Sequence, residues 1–217
     1  MKTALLFGSS GLIGGHLLRQ LIENNDYAKI KVFVRSVPGI NDPKVEIIKT
    51  DFNNLDNHKE EIKGDDCFFC IGTTKKNSPD KNEYRRVELD VPKKIAQIAK
   101  SNSVNSFLFV SSGFADPKNS GDYLRFKGEV EEELKSLNFK TLGIMRPSFL
   151  LGDRKEKRVG EKIGIFIFKL LSPLFIGPLK KMKPIHSEKV ASAMIMAAQD
   201  NLDQTIFESN DIVEISN

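Results

Sequence analysis

Three glycines near the start of the chain stand at a spacing that suits phosphate chemistry. Gly8, Gly11 and Gly14 read G-x-x-G-x-x-G within "LLFGSSGLIGGHLL", between an apolar run and a helical pattern. In a strand–turn–helix setting, Gly8 permits the tight turn, Gly11 lets backbone approach a pyrophosphate, and Gly14 lets helix and strand pack closely. The free N–H groups and the positive end of the helix then face the phosphates. A glycine turn with no ligand is the bland alternative, and the spacing by itself leaves both open.

Two further features add chemistry. Dinucleotide sites carry an acidic residue at the end of the second strand to hold the ribose hydroxyls. Here "KVFV" ends in Arg35 and Ser36. An arginine at that point pairs with a 2′-phosphate, which favours NADP(H) over NAD(H), against the alternative of a solvated surface arginine. Further along, "DYLRFK" places Tyr123 and Lys127 four residues apart, on one helical face, behind the serine pair Ser111 and Ser112. A tyrosine hydroxyl can give a proton to a carbonyl oxygen as hydride arrives, or take one in reverse. A neighbouring ammonium and an oxidised nicotinamide stabilise the phenolate, and a serine hydroxyl orients the reacting oxygen.

These residues need a sheet whose carboxyl edge gathers them. Apolar runs at 3–8, 29–35, 45–51, 67–72, 106–112 and 141–146 read as strands, and helical stripes lie between them, for example Ile13, Leu17, Leu18 and Leu21, or Val87, Val91, Ile95 and Ile98. The alternation predicts an α/β, doubly wound, mostly parallel sheet of order 3-2-1-4-5-6. Residues 1–150 form the expected nucleotide-binding domain, and 151–217 a small substrate or cap region packed on it. Within that region, 186–199 reads as a late helix, and "TIFES" and "IVEIS" as short strand-like pieces.

Bulk properties narrow the function classes. The 217 residues suit one domain, with 33 Lys and Arg against 29 Asp and Glu. So small a surplus, spread along the chain, excludes a nucleic-acid partner as the reading. "MKTALLFG" reads as a first strand rather than a signal peptide, since its apolar run is short and no cleavage site follows. The default location is cytoplasmic. Residues 163–178 are apolar with basic flanks, and could meet a membrane surface or a partner, although Pro173 and Pro178 limit helix length. Arg154 and Arg158 lie in a charged loop that could bind an anionic substrate, or simply be solvated. Cys67 and Cys70 are a C-x-x-C pair in an apolar run, where strand geometry points them to opposite faces and argues for core packing rather than a disulfide. His16, His58 and His186 show no metal-ligand spacing, so no metal is expected. His186 is the one at a helix start, beside the expected cleft.

With "GSSGLIG", "CIGTT", "FVSSGFAD", "YLRFKGEVE" and "RPSFLLGDRKEKRVGE" in view, the chain resembles the extended or atypical branch of the short-chain dehydrogenase/reductase superfamily, and within it the Tat-interacting oxidoreductase-like proteins. The resemblance implies roles. Gly8, Ser10, Gly11, Leu12 and Ile13 would line the pyrophosphate, and Arg35 would hold the 2′-phosphate. Asp51 and Phe52 would border the adenine, with Cys70, Ile71, Gly72 and Thr73 running beside the ribose. Tyr123 would be the acid/base and Lys127 would contact the nicotinamide ribose. Ser112 would be the catalytic serine, with Ser111 nearer the cofactor, and Pro147 and Ser148 would close over the nicotinamide end. The implied activity is an NADP(H)-dependent oxidoreductase acting on a small carbonyl or alcohol. A redox-sensing NADPH-binding protein without robust turnover is one alternative. A nucleoside-diphosphate-sugar epimerase or dehydratase is another, disfavoured by the short C-terminal region. A homodimer through the helices beside the fourth and fifth strands is plausible on the same resemblance.

Overall fold

The computed structural model describes residues 1–37, 39–151, 184–199 and 203–216. The apolar runs become β1 (Lys2–Phe7), β2 (Tyr27–Val34), β3 (Val45–Lys49), β4 (Asp66–Phe69), β5 (Ser106–Val110) and β6 (Thr141–Arg146). Two-residue strands β7 (Leu150–Leu151) and β8 (Ile185–His186) pair with each other, apart from the main sheet. A ninth strand, β9 (Ile206–Glu208), lies against β6. The main sheet has the order β3-β2-β1-β4-β5-β6-β9, and each neighbouring pair is parallel. The six expected strands keep their order, and β9 adds a seventh.

Runs such as "ALLF" and "SFLF" do not alternate because both faces of a parallel sheet are covered. On one face, Leu17, Leu18 and Leu21 of α1 (Leu12–Glu23) pack with Val190, Ala191 and Met194 of a late helix. On the other, Val91, Ile95 and Ile98 pack with Phe126, Val130 and Leu134. Those six residues belong to α3 (Val91–Ser101) and α4 (Asp122–Ser136). A short helix, α2 (Lys81–Arg85), runs into α3 through a single π-turn at Arg86–Asp90. The late helix is α5 (Ser187–Gln199), tied to α1 by the Gln20 amide, which donates to the Ser192 hydroxyl at 3.1 Å.

One expected element changes type. "IVEIS" is not strand-like but belongs to α6 (Ser209–Ile215). Glu208 and Asp211 form a reciprocal capping box that starts a helix immediately after β9, and Ile212 turns inward from it. Residues 184–199 and 203–216 thus complete the sheet and one face of its core. The stretch 163–178, with Arg154 and Arg158 before it, lies outside the described residues. Cys67 and Cys70 are free thiols on opposite sides of the sheet, as the strand geometry requires.

Candidate functional site

The residues singled out for chemistry come from loops that follow β1 to β6 and from helices α1 and α4. Gly8 follows β1 with φ of +94°, and a Cβ there would stand 2.7 Å from the Cys70 carbonyl carbon. The glycine turn thus lies against Cys70–Ile71 with no room for a side chain, and the Cys70 N–H donates to the Phe7 carbonyl at 2.8 Å. Gly14 is tighter still, since its Cβ would lie 2.1 Å from the Gly8 oxygen. Gly11 caps α1 with no side-chain hydrogen bond, and the first turn, where Leu12 and Ile13 lie, has no acidic residue. Ser10 beside it is exposed. An anion would meet free backbone N–H groups and a positive helix end here, so the cradle fits a pyrophosphate.

Arg35 is exposed directly after β2. Its charge acts on Glu83, whose carboxylate grips the Arg86 guanidinium at 2.7 and 2.8 Å. Arg86 also donates to the Phe52 carbonyl at 3.0 Å. Asp51, after β3, accepts both N–H groups of Asn53, and these bonds hold its carboxyl below the usual carboxylate range. Phe52 adopts φ of +64°, a left-handed conformation that is uncommon for a bulky side chain. It nevertheless packs its ring within 6.5 Å of Phe7.

Lys127 is the centre of the arrangement. It is 3% exposed, yet charged. Burial by itself lowers an ammonium, but Glu88, Tyr123 and Glu131 outweigh it and hold Lys127 above the ordinary lysine value. Its Nζ lies 3.1 Å from Glu88 Oε2 and donates to the Val110 carbonyl at 3.3 Å. The Tyr123 ring centroid is 5.9 Å from the same nitrogen. Of the three tyrosines, Tyr123 alone opens to solvent, at 39%. Tyr84 is buried and pushed up to about 12 by desolvation, and Tyr27 is buried near the start of β2 against Asp66.

The two serines differ. Ser111 is buried, and its hydroxyl donates to Glu131. Glu131 in turn accepts Arg146 Nε at 3.0 Å, so the Ser111 hydroxyl is part of a buried network. Ser112 is half-buried, and its hydroxyl donates to the Gly113 carbonyl at a long 3.3 Å. The Gly113 N–H donates to the Pro147 carbonyl at 3.0 Å, and the Ser148 N–H to the Ser209 hydroxyl at 2.9 Å, which pins the loop after β6 beside the serines. Ile71, Gly72 and Thr73 follow Cys70, whose thiol is pushed up to about 12 by burial. Thr73 donates its N–H to Glu88 Oε1. His186 is exposed at the end of β8, and no group of metal-ligating side chains occurs among the described residues.

Glu88, Glu131, Glu83 and Arg86 escaped the reading from sequence. Two of the four carried a signal. Glu88 falls three and seven residues before Val91 and Ile95, so it is a charge on an apolar helical stripe. Glu131 stands four after Lys127, on the same helical face.

A family profile described as NAD(P)H-binding matches residues 8–201. Protein HTATIP2 of Rattus norvegicus is 34% identical over 166 residues, covering 74% of this chain and 67% of the rat protein. Protein FMP52, mitochondrial, of Candida glabrata is 30% identical over 202 residues, covering 91% of this chain and 85% of that one. Among solved structures, the Bordetella bronchiseptica enzyme WbmH in complex with NAD+ superposes with a TM-score of 0.73 at 18% identity, covering 96% of this chain and 75% of that one. A UDP-N-acetylglucosamine 4-epimerase from Methanobrevibacter ruminantium gives 0.70 at 20% identity, covering 98% and 80%. At such identities the solved structures show the shared fold alone. The fungal relatives correct one expectation. Several are named as mitochondrial proteins, which overturns the cytoplasmic assignment made from the lack of a recognisable leader. No helix among the described residues is long and apolar enough to cross a membrane.

Proposed function

The chain belongs to the NAD(P)H-binding family, in the HTATIP2/FMP52 branch of the short-chain dehydrogenase/reductase superfamily, and from that membership we propose that it is an NADP(H)-dependent oxidoreductase acting on a small carbonyl or alcohol. The observation that carries the proposal is the pairing of the solvent-open tyrosine, Tyr123, with the buried, charge-balanced Lys127. The uncapped N-terminus of α1, with Gly8, Ser10, Gly11, Leu12 and Ile13, holds the pyrophosphate. Arg35 takes the 2′-phosphate, Asp51 and Phe52 flank the adenine, and Cys70 to Thr73 run beside the ribose.

The nicotinamide, when bound, supplies or accepts the hydride. The chain's own residues handle the proton. In the reductive direction Tyr123 Oη gives its proton to the substrate oxygen, and in the oxidative direction it takes that proton back. The Lys127 ammonium stabilises the resulting phenolate. The Ser112 hydroxyl donates a hydrogen bond to the same oxygen, because the Ser111 hydroxyl is already committed to Glu131. Pro147 and Ser148 border the nicotinamide end. Ser112→Ala is therefore expected to lower turnover with the melting temperature unchanged. Ser111→Ala is expected to lower the melting temperature, because Glu131 loses a buried partner. Turnover and thermal unfolding of the two variants, measured together, check the assignment.

Calorimetric titration with NADPH and NADH side by side tests the cofactor. NADPH is expected to bind more tightly, and Arg35→Ala to weaken NADPH about tenfold while leaving NADH unchanged, as expected for one charge-assisted phosphate contact. Equal affinities, or an Arg35→Ala protein with undiminished preference, dismiss the NADP(H) reading. Tight NADPH binding without turnover on a panel of small carbonyls favours a redox-sensing role instead.

A further inference from the structure

Glu88 is a fully buried carboxylate with no part in the proton transfer described above, and it touches both halves of the site. The π-turn at Arg86–Asp90 inserts an extra residue per turn, and Glu88 on it points inward. Its side chain is shielded from solvent, with Oε2 3.1 Å from Lys127 Nζ and Oε1 accepting the Thr73 N–H. A buried carboxylate is costly unless charge-paired and hydrogen-bonded, and here both conditions are met by site residues. A Cβ at Gly72, beside Thr73, would stand 3.4 Å from Glu88 Oε1, so the loop lies over the carboxylate at ordinary van der Waals distance.

We infer that Glu88 is a positioning residue, whose carboxylate locks the Lys127 ammonium to the Thr73 loop and so fixes both against the nicotinamide half of the cofactor. The inference rests on the nucleotide-binding reading of the site. Around Lys127 stand Glu88 from the π-turn, Tyr123 and Glu131 from its own helix, Cys70 from the end of β4 and the Phe109 ring from β5. Glu131 is occupied by Ser111 and Arg146. Glu88 is thus the carboxylate in direct ion-pair contact with the ammonium, at 3.1 Å, while the ammonium donates to the Val110 carbonyl. An ammonium has three donors, which leaves capacity for Tyr123 and a bound ribose.

The test uses the full chain with NADPH and with 2′,5′-ADP, which lacks the nicotinamide mononucleotide half. Glu88→Gln is expected to weaken NADPH about tenfold, as for loss of one charge-assisted bond, and to leave 2′,5′-ADP unchanged. In a Lys127→Met background the same substitution is expected to add nothing. Equal loss for both probes is the mark of a merely structural role and overturns the inference, as does no loss for either. A second arm needs no nucleotide. In carbon-13 NMR of labelled lysines, the Lys127 ammonium is expected to titrate about one pH unit or more lower in Glu88→Gln than in the unaltered protein. An unchanged titration overturns the inference. If the unaltered protein binds neither probe, the proposed function falls, while the titration still decides what Glu88 does. Should Glu88→Gln not fold, Glu88→Asp keeps the charge and shortens the reach. It is expected to show a smaller loss confined to NADPH, and a loss shared with 2′,5′-ADP counts against the inference.

Discussion

Gly14→Ala is expected to destabilise the protein by about 3 kcal/mol, at the upper end of what overpacking costs, and to abolish nucleotide binding. The added Cβ would meet the Gly8 oxygen at 2.1 Å and the Gly8 carbonyl carbon at 2.7 Å, both of them backbone atoms. No side chain can rotate away, so either α1 moves off β1 or the turn opens. Gly8 already presses on the Cys70–Ile71 backbone, which blocks the second route. The neighbouring Gly15→Ala is the control. Its Cβ would find the Ser9 oxygen at 3.5 Å, an ordinary contact. Alanine is favoured over glycine inside a helix by about 1 kcal/mol, so this variant is expected to be as stable as the parent or more so. Chemical unfolding of the pair, with NADPH titrations, checks both outcomes. A Gly14→Ala protein that is stable and binds NADPH normally would show that the turn is not held in this geometry.

Tyr123→Phe is expected to lower turnover on a small carbonyl by about a hundredfold to ten-thousandfold, the usual range for loss of a general acid. NADPH affinity is expected to be unchanged. The substitution keeps the ring at 5.9 Å from the Lys127 ammonium and removes only the hydroxyl. Stability should also hold, because Tyr123 is exposed and its hydroxyl makes no bond that the core depends on. Tyr84→Phe makes the comparison sharp. That ring is buried against Phe126, and its substitution should leave turnover intact. Steady-state kinetics on both variants separate a proton donor from a packing residue. Full turnover by Tyr123→Phe sinks the mechanism.

The positions that sequence reading found share a local cause. The glycine turn requires a left-handed residue at Gly8 and no Cβ at Gly14, and both demands are met within seven residues. Tyr123 and Lys127 share a helical face because four residues span one turn. The parallel order follows from apolar runs buried on both faces and from the single handedness of the crossovers. "IVEIS" misled for a reason equally local. Its alternation imitates a strand, and the capping box between Glu208 and Asp211 decides for a helix.

By itself, then, the sequence determined the doubly wound sheet, the glycine turn and the tyrosine–lysine face, since each follows from spacings of a few residues or from the alternation of apolar runs and helical stripes along the chain. Tertiary structure alone decided the electrostatics around that face. Glu88 reaches Lys127 across 39 positions of sequence, and Glu131 takes the Ser111 hydroxyl across 20, leaving Ser112 with only a long bond to the Gly113 carbonyl. A buried charge requires a partner within about 4 Å to offset its lost hydration. Which of the chain's 29 carboxylates supplies it depends on which helix the sheet brings alongside, and no short-range pattern records that distance.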